Sequence, residues 1–199
     1  MVKLVNQTLF SAKIRDKKLL IFSAHDIRAL FGVSAVAAAS LLHRYKQQGF
    51  IVQIKRGLYA FPDALPPDVF IANKLYSPSY VSLEFALSYH GVIPETVYEI
   101  TSVTTKATRR FETLGKIFSY RTLKKAAYTG YDIHTQQGTS FAIADAEKAF
   151  VDANYFRLNR VQKPISRFHK EKLNAAKALR YASLFSNEKL TSIIKTTLQ

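Results

Sequence analysis

Glu84, Glu99 and Glu112 are the acids on offer for metal-dependent nuclease chemistry, which the order of helix, strands and helix around them suggests by its likeness to a restriction-endonuclease core. Such a centre needs an acid on one strand and an acid-x-lysine on the next, so that carboxylates hold the metal while the lysine orients water. Glu112 is followed at that spacing by Leu114, and Lys116 falls beyond the Leu114-Gly115 turn. The set does not assemble, and no catalytic residue is assigned. Ser82, Glu84 and His90 read as a helix cap, a surface acid and a helix terminus rather than a triad. His90 has no second histidine at helical metal spacing, and the chain has no cysteine, so no metal site and no cofactor is expected. Glu147, Lys148 and Asp152 read as an i,i+4 ion pair on a helix.

The remaining chemistry is electrostatic. The chain has 199 residues, with 29 lysines and arginines against 14 acids and a formal charge of +15. That excess favours a polyanion, because each phosphate neutralised by a cation releases condensed counterions. The charge is concentrated: residues 1 to 61 hold ten lysines and arginines against Asp16 and Asp26 alone. No apolar run approaches a spanning helix, and Met1-Val2-Lys3 opens no secretory leader, so a cytoplasmic protein with no membrane partner is expected.

These cations must be positioned by elements. Leu4 to Lys17 predicts a first helix. Ser23-Ala24-His25-Asp26 opens a second, with Ser23 and Asp26 as a variant capping box, and Gly32 ends it. Ser34 caps a third helix through Gln48, stopped by Gly49, with Ala38, Leu41, Leu42 and Tyr45 on one apolar face. Phe50 to Ile54 and Leu58 to Phe61 are β-prone runs joined by Lys55-Arg56-Gly57. Helix, helix, short turn, helix, hairpin is the order of a winged helix-turn-helix. Its exposed recognition face would comprise Ser34, Ala35, Val36, Ala39, Ser40, His43 and Arg44, with Lys55 and Arg56 at the wing tip. Small side chains let a helix approach base edges, methyl groups meet thymine methyls, and Ser40, His43 and Arg44 can hydrogen-bond bases or phosphates. The partner expected is double-stranded DNA.

The proline-bearing stretch from Phe61 to Pro67 separates this domain, 1–61, from a larger one, 68–199. Beyond it a short helix spans Asp68 to Leu75, and Ser82 caps another through Tyr89. Strands are expected at Val97 to Thr104, Arg110 to Thr113, Lys116 to Arg121, Tyr131 to Thr135 and Thr139 to Ile143, with turns at Leu114-Gly115 and Gln137-Gly138. Ala144 to Phe156, Ser166 to Phe185 and Glu188 to Leu198 complete the chain as helices. The fold class is therefore α+β: a winged helix-turn-helix followed by a larger α+β domain with a roughly five-stranded sheet and C-terminal helices. Tyr80, Tyr89 and the Thr101 to Thr105 ladder fit an interaction surface or core packing equally well.

The run Tyr80-Val81-Ser82-Leu83-Glu84-Phe85-Ala86-Leu87-Ser88-Tyr89-His90-Gly91-Val92-Ile93-Pro94, then Thr101 to Thr105, Arg110-Phe111, Gly115, Tyr120-Arg121, Gly130-Tyr131 and Ala144 to Ala149, closely resembles the AbiEi family of antitoxins and related regulators. The first domain resembles that family's winged domain, including its ending Arg56-Gly57-Leu58-Tyr59. Phe85 and Ala146 depart from the pattern, standing where a small residue and a proline are expected. The resemblance implies a bacterial type IV toxin–antitoxin pair. In it the first domain represses its own promoter at inverted repeats, and the second counters a nucleotidyltransferase toxin without requiring a stable complex. The alternative is a stand-alone winged-helix regulator whose second domain senses a ligand or dimerises, and an adjacent toxin gene would separate the two.

Overall fold

A computed structural model describes residues 5–136 and 138–199. The predicted start of the first helix at Leu4, the opening Met1-Val2-Lys3, and Gln137 of the Gln137-Gly138 turn lie outside the described residues. The chain divides into two compact units between Pro66 and Pro67.

The first unit contains three helices, α1 (Gln7–Asp16), α2 (Ala24–Phe31) and α3 (Ala35–Gln47), then a hairpin of β1 (Val52–Lys55) and β2 (Leu58–Ala60). Local chemistry sets each boundary. The Asn6 side chain accepts from the Leu9 amide, which starts α1 later than the sequence suggested. Ser23 and Asp26 form a reciprocal capping box on α2. Gly32 ends α2 in the left-handed region at φ +64°, where a side chain would be strained. Ser34 then caps α3, and the two helices meet at a bend of 114° across the three residues between them, the geometry of a helix-turn-helix.

Phe10 centres the core of this unit. Its ring is fully buried and lies 5.0–6.2 Å from those of Phe22, Phe31, Tyr45, Phe50 and Phe61, mostly edge-on. The hairpin is tied to the segment before α2 by reciprocal backbone bonds between Phe22 and Tyr59. The orientation of its turn is thereby fixed relative to the helices.

The second unit has α4 (Asp68–Leu75), β3 (Ser79–Val81), α5 (Leu83–Tyr89), β4 (Ile100–Thr104), β5 (Arg109–Thr113), β6 (Lys116–Thr122), β7 (Tyr131–Gln136), β8 (Thr139–Ala144), α6 (Ala146–Asn159), α7 (Ala175–Ser183) and α8 (Glu188–Leu198). The mixed sheet runs β5-β6-β4-β3-β8-β7, with β3–β8 and β4–β6 parallel. It has six strands where the sequence suggested about five. The added one is β3, three buried residues paired between β4 and β8.

Two helix boundaries also differ from expectation. Ala144 finishes β8, because Asp145 caps α6 by accepting from the Lys148 amide. The stretch from Ser166 is not helical up to Asn174, apart from one tight turn at Lys170–Lys172, because Asn174 is the cap that starts α7. Among the described residues, no single helix is long and apolar enough to cross a membrane.

Candidate nucleic-acid interface

Packing α3 on its apolar side decides what its other side presents. Ala38, Leu41, Leu42 and Tyr45 are buried, and the Tyr45 hydroxyl donates to the Val5 carbonyl at 2.7 Å, pinning the rotation of the helix. Ser34, Ala35, Val36, Ala39, Ser40, His43 and Arg44 consequently all face solvent, Val36 with 76% of its surface exposed.

The structure sorts the cations of this unit by whether they already have partners. Arg15 pairs with Asp63 at 2.8 Å, Lys13 donates to the Leu30 carbonyl and Lys46 to the Gln53 amide oxygen. Arg44 lies 5.4 Å over its neighbour's ring, Tyr45, and its guanidinium has no hydrogen-bond or ion-pair partner among the described residues. Arg56 at the hairpin turn is likewise exposed and without such a partner, while Lys55 closes β1 half-buried. Arg28, exposed in the last turn of α2, is a further unpaired cation that the sequence reading passed over. An unpaired guanidinium can reach a phosphate without first breaking an internal hydrogen bond or ion pair.

Ser34 holds a double position. Its Oγ accepts from the Ala37 amide at 3.2 Å, so the same hydroxyl that faces solvent also starts the helix. Ser34→Ala is expected to cost about 1 kcal/mol of stability through the lost cap. Ser34→Asp keeps the cap and its stability while adding a negative charge to the face, and it should weaken DNA binding severalfold. Thermal melting beside a gel shift separates the two effects, and equal DNA affinity for Ser34→Asp and the parent would take Ser34 off the interface.

The acids considered for catalysis lie apart in role. Glu84, in the first turn of α5, is half-buried and receives Arg157 at 3.3 Å, so it is no free surface acid. Glu112 sits exposed on β5 against Arg110. Glu99 lines a cavity of about 340 Å³ with Tyr98, Phe85 and the Asp68–Lys116 ion pair. Ser82 occupies the cap position of α5 without making the cap bond, because its hydroxyl turns instead to Asp152. His90 ends α5 as expected, its Nε2 2.7 Å from the Ala144 carbonyl oxygen.

That turn of Ser82 belongs to a network the sequence showed only in part. Lys148 and Asp152, the i,i+4 pair of α6, are both completely buried. The carboxylate of Asp152 also accepts from Tyr80 at 3.1 Å and Ser82 at 2.8 Å, and the Lys148 ammonium lies over the rings of Phe185 and Tyr80. Burial holds the Asp152 carboxyl above its ordinary range against the pull of Lys148, Ser82 and Tyr80. Glu147 is not part of this cluster. Burial pushes its pKa upward, but the Asn174 amide and Lys177 outweigh that and hold it below the usual carboxylate range. Gly130 closes the network from the β7 side, where a Cβ would meet Tyr181 at 2.8 Å and Lys148 at 2.9 Å. Tyr80 is thus core, as are Ser102, Val103 and Thr104, while Tyr89 is exposed.

No curated protein gives a match to the chain. Residues 14–62, from the last turn of α1 to just past the hairpin, match the family described as transcriptional regulator, AbiEi antitoxin, so the first unit is similar to a domain of the AbiEi family.

Proposed function

We propose that the chain is the DNA-binding autorepressor and antitoxin of a type IV toxin–antitoxin pair, acting in the cytoplasm without catalysis of its own. The observation that carries the DNA half is the solvent face of α3. Ser34, Ala35, Val36, Ala39, Ser40, His43 and Arg44 lie on one side of a helix that follows a 114° turn, with Arg56 unpaired at the hairpin. In this reading α3 enters the major groove, the hairpin is the wing that reaches flanking phosphates or the minor groove, and a pair of such units reads an inverted repeat. The second unit, 68–199, counters the nucleotidyltransferase toxin, a role supported by the family resemblance alone. The cavity beside Glu99 favours one alternative, a regulator whose second unit senses a small ligand.

The test runs promoter gel shifts and rescue from the co-expressed toxin side by side, on the full chain and on a 68–199 fragment shown by circular dichroism to be folded. The full chain should shift its own promoter and rescue; the fragment should rescue without shifting. Rescue that requires the first unit would argue for control of the toxin by repression alone. The purified chain with magnesium or manganese should leave DNA intact. Cleavage abolished by Glu99→Ala or Glu112→Ala would make the second unit a nuclease.

A further inference from the structure

The two edges of the six-stranded sheet are built differently. β5 carries Arg109, Arg110 and Glu112, charges of the kind that keep an edge from pairing. β7 reads Tyr131-Asp132-Ile133-His134-Thr135-Gln136, with no lysine, arginine or proline, and Ile133 leaves 65% of its surface in solvent. An edge with an exposed apolar centre and a single acid, Asp132, in place of that row of charges is a template for another strand.

The backbone of β7 shows where that strand would bond. Ile133 stands opposite Ala142 on β8, and the amide and carbonyl of Ala142 are both taken by the Asn73 side chain, at 2.6 and 3.3 Å. Ala142 therefore turns its polar groups away from β7, and Ile133, in the same non-bonded pair, turns its own outward. Among the described residues the N–H and C=O of Ile133 have no partner. The bonded pairs to either side, Asp132 with Ile143 and His134 with Phe141, use the inner groups of the strand.

We propose that β7 pairs with β7 of a second copy of this chain, antiparallel and centred on Ile133, to form a two-fold dimer with a continuous sheet. The strand is complementary to itself in that register. Ile133 exchanges both backbone bonds with the partner's Ile133, and Tyr131 falls opposite the partner's Thr135. Asp132 falls opposite the partner's His134, so the carboxylate accepts from the imidazole N–H, once on each side of the axis. These outer positions are non-bonded pairs, in which facing side chains approach most closely. The interface is independent of the DNA reading, since every contact lies within the second unit.

Sedimentation of the full chain across a range of concentrations should show a monomer–dimer equilibrium. Ile133→Pro removes the outward N–H together with the isoleucine side chain, a change an edge strand tolerates, and should raise the dissociation constant about tenfold or more. His134→Asp should weaken the dimer by setting two carboxylates face to face, and Asp132→Lys with His134→Asp should restore it with the charges exchanged. The chain has no cysteine, so Ile133→Cys places a single thiol on the axis, and a short bis-maleimide should link two such chains. A chain that stays monomeric at every concentration overturns the proposal. So does a dimer indifferent to Ile133→Pro, a double variant that fails to restore association, or an Ile133→Cys variant that the bis-maleimide does not link. Circular dichroism on each variant confirms that loss of the dimer is not loss of the fold.

Discussion

Replacing Lys148 by methionine is expected to cost the second unit about 3–5 kcal/mol, because it strands the carboxylate of Asp152 in a fully buried site. Asp152 is completely buried, and its remaining donors, Tyr80 and Ser82, bring hydrogen bonds but no charge. The native carboxyl is already held above its ordinary range by burial, with the ammonium pulling against that shift. Without the lysine it rises further. A carboxyl whose native value exceeds its unfolded one keeps its proton in the folded state at a pH where the unfolded chain has released it, so stability falls as pH rises through that interval. The penalty of Lys148→Met relative to the parent should accordingly be full at neutral pH and shrink in mild acid. Urea unfolding of both proteins at the two pH values measures it. Lys148→Met with Asp152→Asn, which removes the stranded charge yet still accepts from Tyr80 and Ser82, should recover part of the loss. A penalty that does not change with pH would mean that Asp152 is not the group left uncompensated.

The network around Lys148 also shows why the sequence was informative in some places and silent in others. Caps are local. Ser23 with Asp26, Gly32 and Ser34 each act within four residues, and the structure has all of them at the expected positions. The solvent side of α3 followed, since four buried positions at helical spacing leave its other side open. Burial of α6 was not legible in the same way. Ala146, Ala149, Phe150, Ala153 and Tyr155 read as one apolar face, which leaves Lys148 and Asp152 for solvent, but α6 is covered by α5 on one side and by α7 and α8 on others, so its polar residues were taken inside. β3 is the other case. Ser79-Tyr80-Val81 is too short to signal a strand by alternation, and what makes it one is pairing with β4 and β8, the latter more than sixty residues away. The sequence carries no local mark of that.

Arg44→Ala is expected to weaken binding to the preferred duplex by about 1–3 kcal/mol, about 5- to 150-fold, and to relax the preference at one base position. The argument rests on where α3 puts the guanidinium. It lies at the solvent side of the helix, free of any internal ion pair, one turn beyond the small residues Ala39 and Ser40 that would let the helix sit close to base edges. Arg56→Ala should act differently. A cation at the hairpin turn that meets phosphate contributes attraction without reading sequence, so its loss should weaken all duplexes nearly alike and flatten the salt dependence by about one unit of slope. The parent itself should lose affinity steeply with rising salt, given its +15 charge. Gel shifts with the promoter duplex and a scrambled duplex, repeated at several salt concentrations, give both numbers from one set of measurements. If Arg44→Ala weakens the two duplexes equally, Arg44 touches phosphate and the base-reading residues lie elsewhere on α3. If neither variant differs from the parent at any salt concentration, the DNA-binding face is not the one formed by α3 and the hairpin.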